Sequence, residues 1–230
     1  MNATTMTVTE ALQRRTSIRA FLPTPVADAT VREILDVARY APSGGNLQPW
    51  KVVVVSGTAR DAVVALAKNY PGMFPAEDAE RPVYPPNLWE PYRSRRYQVG
   101  EDMYALLGIA RDNKPARLKH VARNFEFFGA PVGVFYVIDE RMGHGQWAHL
   151  GMYMQSVALA ATERGLGTCF QEFWGTLRAT LKKHFALPEH DMIYCGMALG
   201  HADPAAPVNR LRSARAPLEE FARFENGAPS

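Results

Sequence analysis

The segment from Ala41 to Trp50 constrains the fold of this chain more than any other part of the sequence. It contains one serine, two glycines, an asparagine and a glutamine, and it directly precedes the apolar run 51–55. That run predicts a buried strand over Lys51–Ser56, so the polar residues form the turn leading into it. Such a turn presents side-chain amides and uncovered backbone groups to a polar, planar ligand. Judged alone, these residues are equally typical of an ordinary loop, because glycine and asparagine tolerate positive φ.

A second polar segment lies near the N-terminus, from Arg14 to Phe21. It brings three guanidinium groups and two hydroxyl groups together within a few residues. Guanidinium groups bind phosphate oxygens in a bidentate manner and stay charged at physiological pH. The segment therefore suits a phosphate, although an arginine-rich octapeptide by itself is also typical of a solvated surface.

Together, in this order and about one helix apart, the two segments resemble those of the nitroreductase family of FMN-dependent oxidoreductases. The resemblance implies that the first motif binds the phosphate and ribityl chain of FMN through Arg15, Ser17 and Arg19. It also implies that the second motif reaches the flavin of the other protomer through Pro42, Ser43, Gly44 and Asn46.

A third motif of the same family matches the segment Gly165–Trp174. In the family this segment runs along the edge of the isoalloxazine ring, and its main-chain amides donate to flavin N5 and O4. The resemblance therefore implies contacts from Gln171, Glu172 and Phe173. Such donors stabilise the negative charge that develops on a reduced flavin. A plain strand-to-helix turn with core aromatic residues is the alternative for this segment taken alone.

A fourth motif lies near the C-terminus, in the segment Asn209–Pro217. By its position before an Ala-Pro pair, Arg215 matches the family's C-terminal phosphate-binding arginine, and Arg212 is a second candidate. With the N-terminal arginines they would offset the phosphate charge of about −2. The alternative is a solvated basic tail.

Composition bounds the remaining function classes. The 230 residues, 47% of them hydrophobic, suffice for a single domain over 1–230. The net charge of +3 is too small and too dispersed to indicate nucleic acid. No apolar run reaches the length of about 20 residues that a membrane helix needs, and the start Met1–Glu10 is polar, so we expect a cytoplasmic protein. Cys169 and Cys195 are expected to be reduced core residues, and no His or Cys spacing predicts a metal site.

Apolar spacing predicts five helices and four strands. The expected helices are 28–41, 58–68 with Thr58 as N-cap, 101–110, 147–164 and 176–184, with an amphipathic pattern at 218–224. The expected strands are 51–56, 131–138, 168–170 and 192–199. These elements show no repeating βαβ order and no Gly-x-Gly-x-x-Gly after the first strand, which disfavours a Rossmann fold.

The resemblance implies an α+β fold of the nitroreductase type. Its central mixed or antiparallel sheet would have about four strands plus one from the partner protomer, flanked by helices. It further implies a domain-swapped homodimer in which the segment 203–230 forms a C-terminal arm onto the partner.

The proline-rich segment 70–97 is expected to be a long ordered loop or lid at the substrate mouth. Its candidate substrate-binding residues are Trp89, Tyr92, Arg93 and Tyr97. Their rings could stack on an aromatic substrate, and the guanidinium group could attract an anionic substituent. A purely structural lid is the alternative.

The resemblance implies a mechanism that depends on the cofactor. NADPH or NADH would pass a hydride to flavin N5, leave, and be replaced by a small aromatic electron acceptor, a nitroaromatic compound or a quinone, in a ping-pong cycle. No catalytic side chain is required. A flavin reductase, an enoate or dehalogenating reductase, a flavin-degrading enzyme and a non-catalytic flavin-binding module are the alternatives.

Overall fold

The computed structural model describes residues 6–71, 74–77 and 81–225. Its helices are α1 Val8–Arg14, α2 Asp28–Ala38, α3 Gly57–Lys68, α4 Tyr92–Leu106, α5 Lys114–Ala122, α6 His144–Glu163 and α7 Arg178–His184. Its strands are β1 Lys51–Ser56, β2 Val132–Asp139, β3 Gly167–Gln171 and β4 Asp191–Gly200. All four strands predicted from the sequence are confirmed, with ends that agree to within one residue.

The strands form one antiparallel sheet in the order β1-β2-β4-β3. Lys51 of β1 lies opposite Val137 of β2, while Gly167 of β3 lies opposite Gly200 of β4. Of the two expected arrangements, mixed or antiparallel, the sheet is therefore antiparallel. The predicted additional strand from a partner stays a prediction.

The sheet separates two hydrophobic cores. Alternation along β2 sends Val134 and Tyr136 into a core shared with α2 and α6, and sends Phe135 and Val137 into the other core. This second core is rich in aromatic residues and contains Trp174 together with residues of α3 and α7. Helices thus cover both faces of the sheet, as the sequence predicted.

Trp174 fixes the third motif against the sheet. The residue is fully buried, and its ring packs on Phe127 at a centroid distance of 4.8 Å. The ring also occupies the space above Gly196 of β4, where an added Cβ would lie 2.3 Å from Trp174 Cδ1. Only glycine allows this close approach, so the position of the segment after β3 depends on Gly196.

Six sequence predictions about helices were wrong in detail. Two concern helix ends only: the helix expected over 28–41 ends at Ala38, and the helix expected over 147–164 begins at His144. Helix α4 begins at Tyr92 rather than near Glu101, because it buries no residue and its polar surface has no apolar stripe to detect. Thr58 lies inside α3, and Ser56 occupies the N-cap position without a side-chain hydrogen bond. The helix expected over 176–184 starts at Arg178, after a 3₁₀ stretch Glu172–Leu177. In the described part of the tail, the pattern at 218–224 forms only the 3₁₀ turn Leu218–Glu220.

Within the residues that the structure describes, no helix is both long enough and apolar enough to span a bilayer.

Candidate functional site

The N-terminal motif runs along the β3 edge of the sheet. After α1 ends, Ser17 forms a parallel bridge with Thr168 of β3, and the Ile18 N–H donates to the Thr168 carbonyl at 2.9 Å. Farther along, the Leu22 N–H donates to the carbonyl of His201, just beyond β4, at 2.9 Å. These contacts place Arg15, Ser17 and Arg19 beside the strand that leads into the third motif.

Arg15, Arg19, Arg215 and the thiol of Cys169 form one electrostatic cluster. Burial lowers the pKa of Arg15, and the positive charge of Arg215 lowers it further. Burial also raises the pKa of the Cys169 thiol, while the charges of Arg19 and Arg15 and a hydrogen bond with Ser17 act in the opposite direction. The structure therefore brings the first and fourth predicted motifs together within one chain.

Among the described residues, no carboxylate pairs with the positive charges of this cluster. Across residues 6–71, 74–77 and 81–225, no ion pair involves Arg15, Arg19, Arg212 or Arg215, whereas neighbouring Arg14 pairs with Glu10. Arg215 instead donates to the Ser213 hydroxyl at 2.6 Å and to the Ser213 and Ala214 carbonyls. Arg212 donates to the carbonyls of Asn209 and Leu211. Such a cluster fits a doubly charged anion.

Asn209 joins the two arginine-bearing segments. Its Oδ1 accepts from the Arg19 N–H at 2.9 Å and from the Ala20 N–H at 3.2 Å. Its Nδ2 donates to the Ala20 carbonyl at 2.8 Å and to the Asp203 carbonyl at 2.9 Å. The amide thus uses both polar atoms to hold the first and fourth motifs side by side.

His120 of α5 lies close to the same cluster. Only 6% of the residue is exposed, and its Nε2 has no hydrogen-bond partner. Its ring contacts Tyr104 of α4 and Phe128. Burial lowers the pKa of His120 to about 4, with further lowering from the charges of Arg123 and Arg19. The imidazole is therefore neutral at pH 7.

The third motif presents polar groups immediately after β3. Gln171 is buried and donates from Nε2 to the Asn124 carbonyl at 2.8 Å, while its Oε1 has no partner. The 3₁₀ stretch Glu172–Leu177 begins without a side-chain cap, and the first N–H groups of such a stretch lack intrahelical acceptors. Burial raises the pKa of Glu172, and Arg178 partly offsets this rise.

The second motif forms a tight turn on α6. Gly45, Asn46 and Gln48 all have positive φ, and the Ser43 hydroxyl accepts the Gln48 N–H at 2.9 Å. An added Cβ on Gly44 would lie 3.1 Å from His149 Cε1, so this turn packs closely on that ring. No hydrogen bond or ion pair among the described residues joins Pro42, Ser43, Gly44 or Asn46 to the arginine cluster of the same chain. Their predicted role toward the partner's flavin stays a prediction.

The lid contacts the third motif through residues that the sequence did not single out. Phe74 packs edge-on against Phe173 at 5.5 Å. The Glu77 N–H donates to the Thr176 carbonyl, and the Glu77 carboxylate accepts from the N–H and hydroxyl of Thr180. The lid residues 81–83 line a cavity of about 260 Å³ together with Glu172, Trp147 and Tyr194.

The four predicted substrate-binding residues lie at the start of α4 and are exposed. Trp89 contacts Tyr92 edge-on at 5.5 Å, Arg93 pairs with Glu90, and Arg111 lies over the ring of Tyr97. Helix α4 packs against the 3₁₀ turn Pro207–Arg210, next to the arginine cluster. Their contact with a substrate stays a prediction.

Several groups at this site escaped the sequence analysis. Asn209, His120, Phe74 and Glu77 each act through long-range contacts, and their sequence neighbours carry no spacing that marks them. Asn209 stood at the first position of the fourth motif, but only the fold shows that its amide reaches Arg19 and Ala20.

These donors fit the FMN that the resemblance implies. A phosphate requires cationic and N–H donors, which the arginine cluster supplies without a competing carboxylate. A flavin ring edge requires hydrogen-bond donors and acceptors. The uncapped main-chain N–H groups at Glu172 are donors, and the side-chain oxygen Oε1 of Gln171, which has no partner among the described residues, is an acceptor.

This chain is similar to known proteins over most of its length. A family model described as "Nitroreductase family" matches residues 12–201. Nitrobenzene nitroreductase from Ectopseudomonas oleovorans is 36% identical over 94% of this chain and 96% of its own length. The 4-nitrobenzoate reductase from Pseudomonas putida is 38% identical over 91% of this chain and 92% of its own.

Two solved structures extend the comparison to the fold. The FMN and NADPH-dependent nitroreductase NfnB from Sphigopyxis sp. strain HMH superimposes with a TM-score of 0.88 at 42% identity, covering 96% of this chain and 99% of that one. The FMN-dependent nitroreductase NfnB from Mycobacterium smegmatis, in complex with NADPH, gives a TM-score of 0.83 at 30% identity, covering 94% and 97%.

Proposed function

The chain belongs to the nitroreductase family, and on this premise we propose that it is an FMN-dependent enzyme that uses NADPH to reduce nitroaromatic compounds. The observation that carries the proposal is the cluster of Arg15, Arg19 and Arg215, which lies beside the third motif and contains no carboxylate. The names of similar proteins support the choice of FMN, NADPH and a nitroaromatic acceptor.

In this proposal the arginine cluster holds the FMN phosphate. Arg15 is partly buried and lies close enough to Arg215 for their charges to repel each other, so a bound anion would remove an existing repulsion. Ser17 would add a hydroxyl group next to the phosphate. Arg212 and Arg215 already donate to main-chain carbonyls of their own segment, which restrains both guanidinium groups.

The third motif would bind the edge of the flavin ring. The N–H groups of Glu172 and Phe173 lie at the uncapped start of the 3₁₀ stretch, and Trp174 packed over Gly196 holds that stretch in place. When bound, FMN would supply the hydride chemistry between NADPH and the acceptor, in a ping-pong cycle. No side chain of the site is required to act as a general acid or base.

Steady-state kinetics test this proposal. NADPH oxidation is followed without oxygen at several fixed concentrations of 4-nitrobenzoate and of nitrobenzene. A ping-pong cycle gives parallel lines in a double-reciprocal plot, because NADP⁺ leaves before the acceptor binds. Intersecting lines would contradict the cycle, and the absence of NADPH oxidation with both acceptors would contradict the proposed activity.

The proposal includes a homodimer whose protomers share their cofactor sites. Large apolar side chains are exposed on α1, α2, α6 and the turn after α2, including Leu12, Val37, Leu47 and Met152. The C-terminal arm likewise exposes Leu218, Phe221 and Phe224. Exposed apolar area of this extent supports a partner surface. Within the single chain, Glu220 of the arm pairs with Arg95 of α4. The arm is thus anchored to its own protomer at this point, and the proposed contact with the partner would involve the apolar residues around it.

Mixed dimers distinguish a shared site from a site within one chain. Arg19→Ala disables the first motif and Asn46→Ala disables the second, so each homodimer should retain little FMN. If the second motif serves the partner's flavin, a dimer of one chain of each kind contains one fully intact site. Co-expression and isolation of the mixed dimer should therefore restore FMN binding at one site per dimer. A mixed dimer that retains no more FMN than the two parents would place both motifs at the same chain's site.

A further inference from the structure

Asn209 is the residue that connects the two arginine-bearing segments of the site. Its four hydrogen bonds span 2.8 to 3.2 Å, and two of them end on the N–H groups of Arg19 and Ala20, about 190 positions away in the chain. We propose that Asn209 is a positioning residue that fixes the arginines of the first and fourth motifs at the spacing an FMN phosphate requires. This inference rests on the proposed function.

The direct contacts of Asn209 show how it could act on both segments. On one side it holds the main chain of Arg19, the residue that the first motif directs at the cofactor. On the other side, Arg212 donates to the Asn209 carbonyl at 3.0 Å, and Arg215 follows three residues later. A change at Asn209 is therefore transmitted to Arg19 through its N–H and to Arg212 through a carbonyl.

The positive cluster needs such a restraint. Arg15 and Arg215 are close enough for repulsion to lower the pKa of Arg15, and across the described residues no carboxylate draws either group inward. Like charges in one cluster favour an outward movement of the tail. Buried Val208 and the hydrogen bond from the Asp203 N–H to the Ala20 carbonyl hold the tail upstream of the arginines. Between this upstream part of the tail and Arg212, the Asn209 side chain is the described group that hydrogen-bonds the N-terminal motif.

Only an amide side chain of this length meets all four partners. Two N–H groups require an acceptor and two carbonyls require a donor, and asparagine offers both on one planar group. Aspartate would keep the acceptor but would face two carbonyl oxygens with a carboxylate and would place a negative charge next to the arginines. Alanine would leave all four backbone groups without this partner.

Equilibrium binding of FMN and riboflavin isolates the effect on the phosphate. The two ligands share the flavin ring and ribityl chain, so the ratio of their dissociation constants reports the phosphate contacts alone. Flavin fluorescence is titrated with apoprotein of the wild type, Asn209→Ala and a matched control, Asn113→Ala. Asn113 caps α5 by accepting the Ala116 N–H, so the control also loses an asparagine hydrogen bond but lies outside the arginine cluster.

We expect Asn209→Ala to lower the preference for FMN over riboflavin by about tenfold, which corresponds to the loss of roughly one charge-assisted hydrogen bond. Asn113→Ala should keep the wild-type ratio of dissociation constants, even if its melting temperature falls as far as that of Asn209→Ala. A ratio for Asn209→Ala within about twofold of wild type would overturn the inference, because Asn209 would then be only structural. If Asn209→Ala does not fold, Asn209→Ser, which is neutral but too short to meet all four partners, decides by the same ratio and the same criterion.

This result is separable from the proposed function. If the wild-type protein binds neither flavin, or binds both equally, the proposed FMN site itself fails. If the wild type prefers FMN and Asn209→Ala retains that preference, only the role of Asn209 fails.

Discussion

His120 should make the stability of this protein depend on pH between about 4 and 7. Its ring is enclosed by Tyr104 and Phe128, and the guanidinium groups of Arg123 and Arg19 also disfavour its protonation. The pKa of His120 is lowered from 6.5 to about 4, first by burial. An unfolded chain protonates this residue at a higher pH than the folded chain does. The stabilisation is therefore complete above the unfolded pKa and is lost as the pH falls toward the folded one.

The size of the effect follows from the two pKa values. Between pH 7.5 and pH 5.0, the linkage relation gives a loss of about 2 kcal/mol in the free energy of unfolding from His120 alone. His120→Leu replaces the ring with an apolar side chain of similar volume that cannot titrate. The variant should thus lose about 2 kcal/mol less than the wild type over the same pH interval.

Urea unfolding at both pH values measures this difference. Other titrating groups contribute equally to wild type and variant, so the comparison of the two pH-dependent losses cancels them. His184→Leu is the matched control, because it removes a histidine that lies exposed at the end of α7. If His120→Leu and wild type lose the same stability between pH 7.5 and 5.0, the buried neutral imidazole is not the source of the dependence.

Two further substitutions test the site and the core. Arg19→Ala should weaken FMN binding by about 1.5–3 kcal/mol in a fluorescence titration, since it removes a charge-assisted phosphate contact. The control Arg14→Ala removes only an exposed partner of Glu10 and should keep the wild-type affinity. Equal FMN affinities for the two variants would argue against the phosphate assignment. Gly196→Ala should destabilise the fold by about 1–3 kcal/mol because the new Cβ meets Trp174 at 2.3 Å. Gly100→Ala in α4 is the control: its new Cβ meets no atom within 4 Å, so it should raise the melting temperature slightly. If Gly196→Ala is as stable as the wild type in urea unfolding, the close packing of Trp174 on Gly196 is refuted.

The sheet could be predicted from the sequence because its strands are short apolar runs bounded by glycine, proline and polar residues. Val132–Asp139 and Asp191–Gly200 are buried almost throughout, so their apolar character is continuous and easy to read. Helix α4 could not be located in the same way. It carries charges and tyrosines on all sides and buries nothing, so its sequence has no helical period.

The site was predictable in its motifs but not in its connections. Arg15, Ser17, Arg19 and Arg215 were named from local patterns. The fold places the first three beside Cys169 and places Arg215 close to Arg15. No local pattern shows that the Asn209 amide would reach Arg19, because the two positions are brought together only by the sheet edge at Phe21 and Ala202.

The lid illustrates the same limit. Its aromatic and arginine residues drew attention to Trp89, Tyr92 and Arg93. Its described anchoring contacts come instead from Phe74, which packs on Phe173 of the third motif, and from Glu77, which binds Thr180 of α7. The lid is anchored by the hydrogen bonds of Glu77 with Thr180 in α7, and the sequence around Glu77 does not reveal this distant partner.

An anaerobic absorbance measurement tests the central claim most directly. The purified protein, reconstituted with FMN and freed of excess flavin, is mixed with NADPH and then with 4-nitrobenzoate. The account predicts a bound flavin spectrum that bleaches with NADPH and recovers fully with the nitroarene. A protein that retains no flavin after reconstitution, or whose bound flavin NADPH does not bleach, would contradict it.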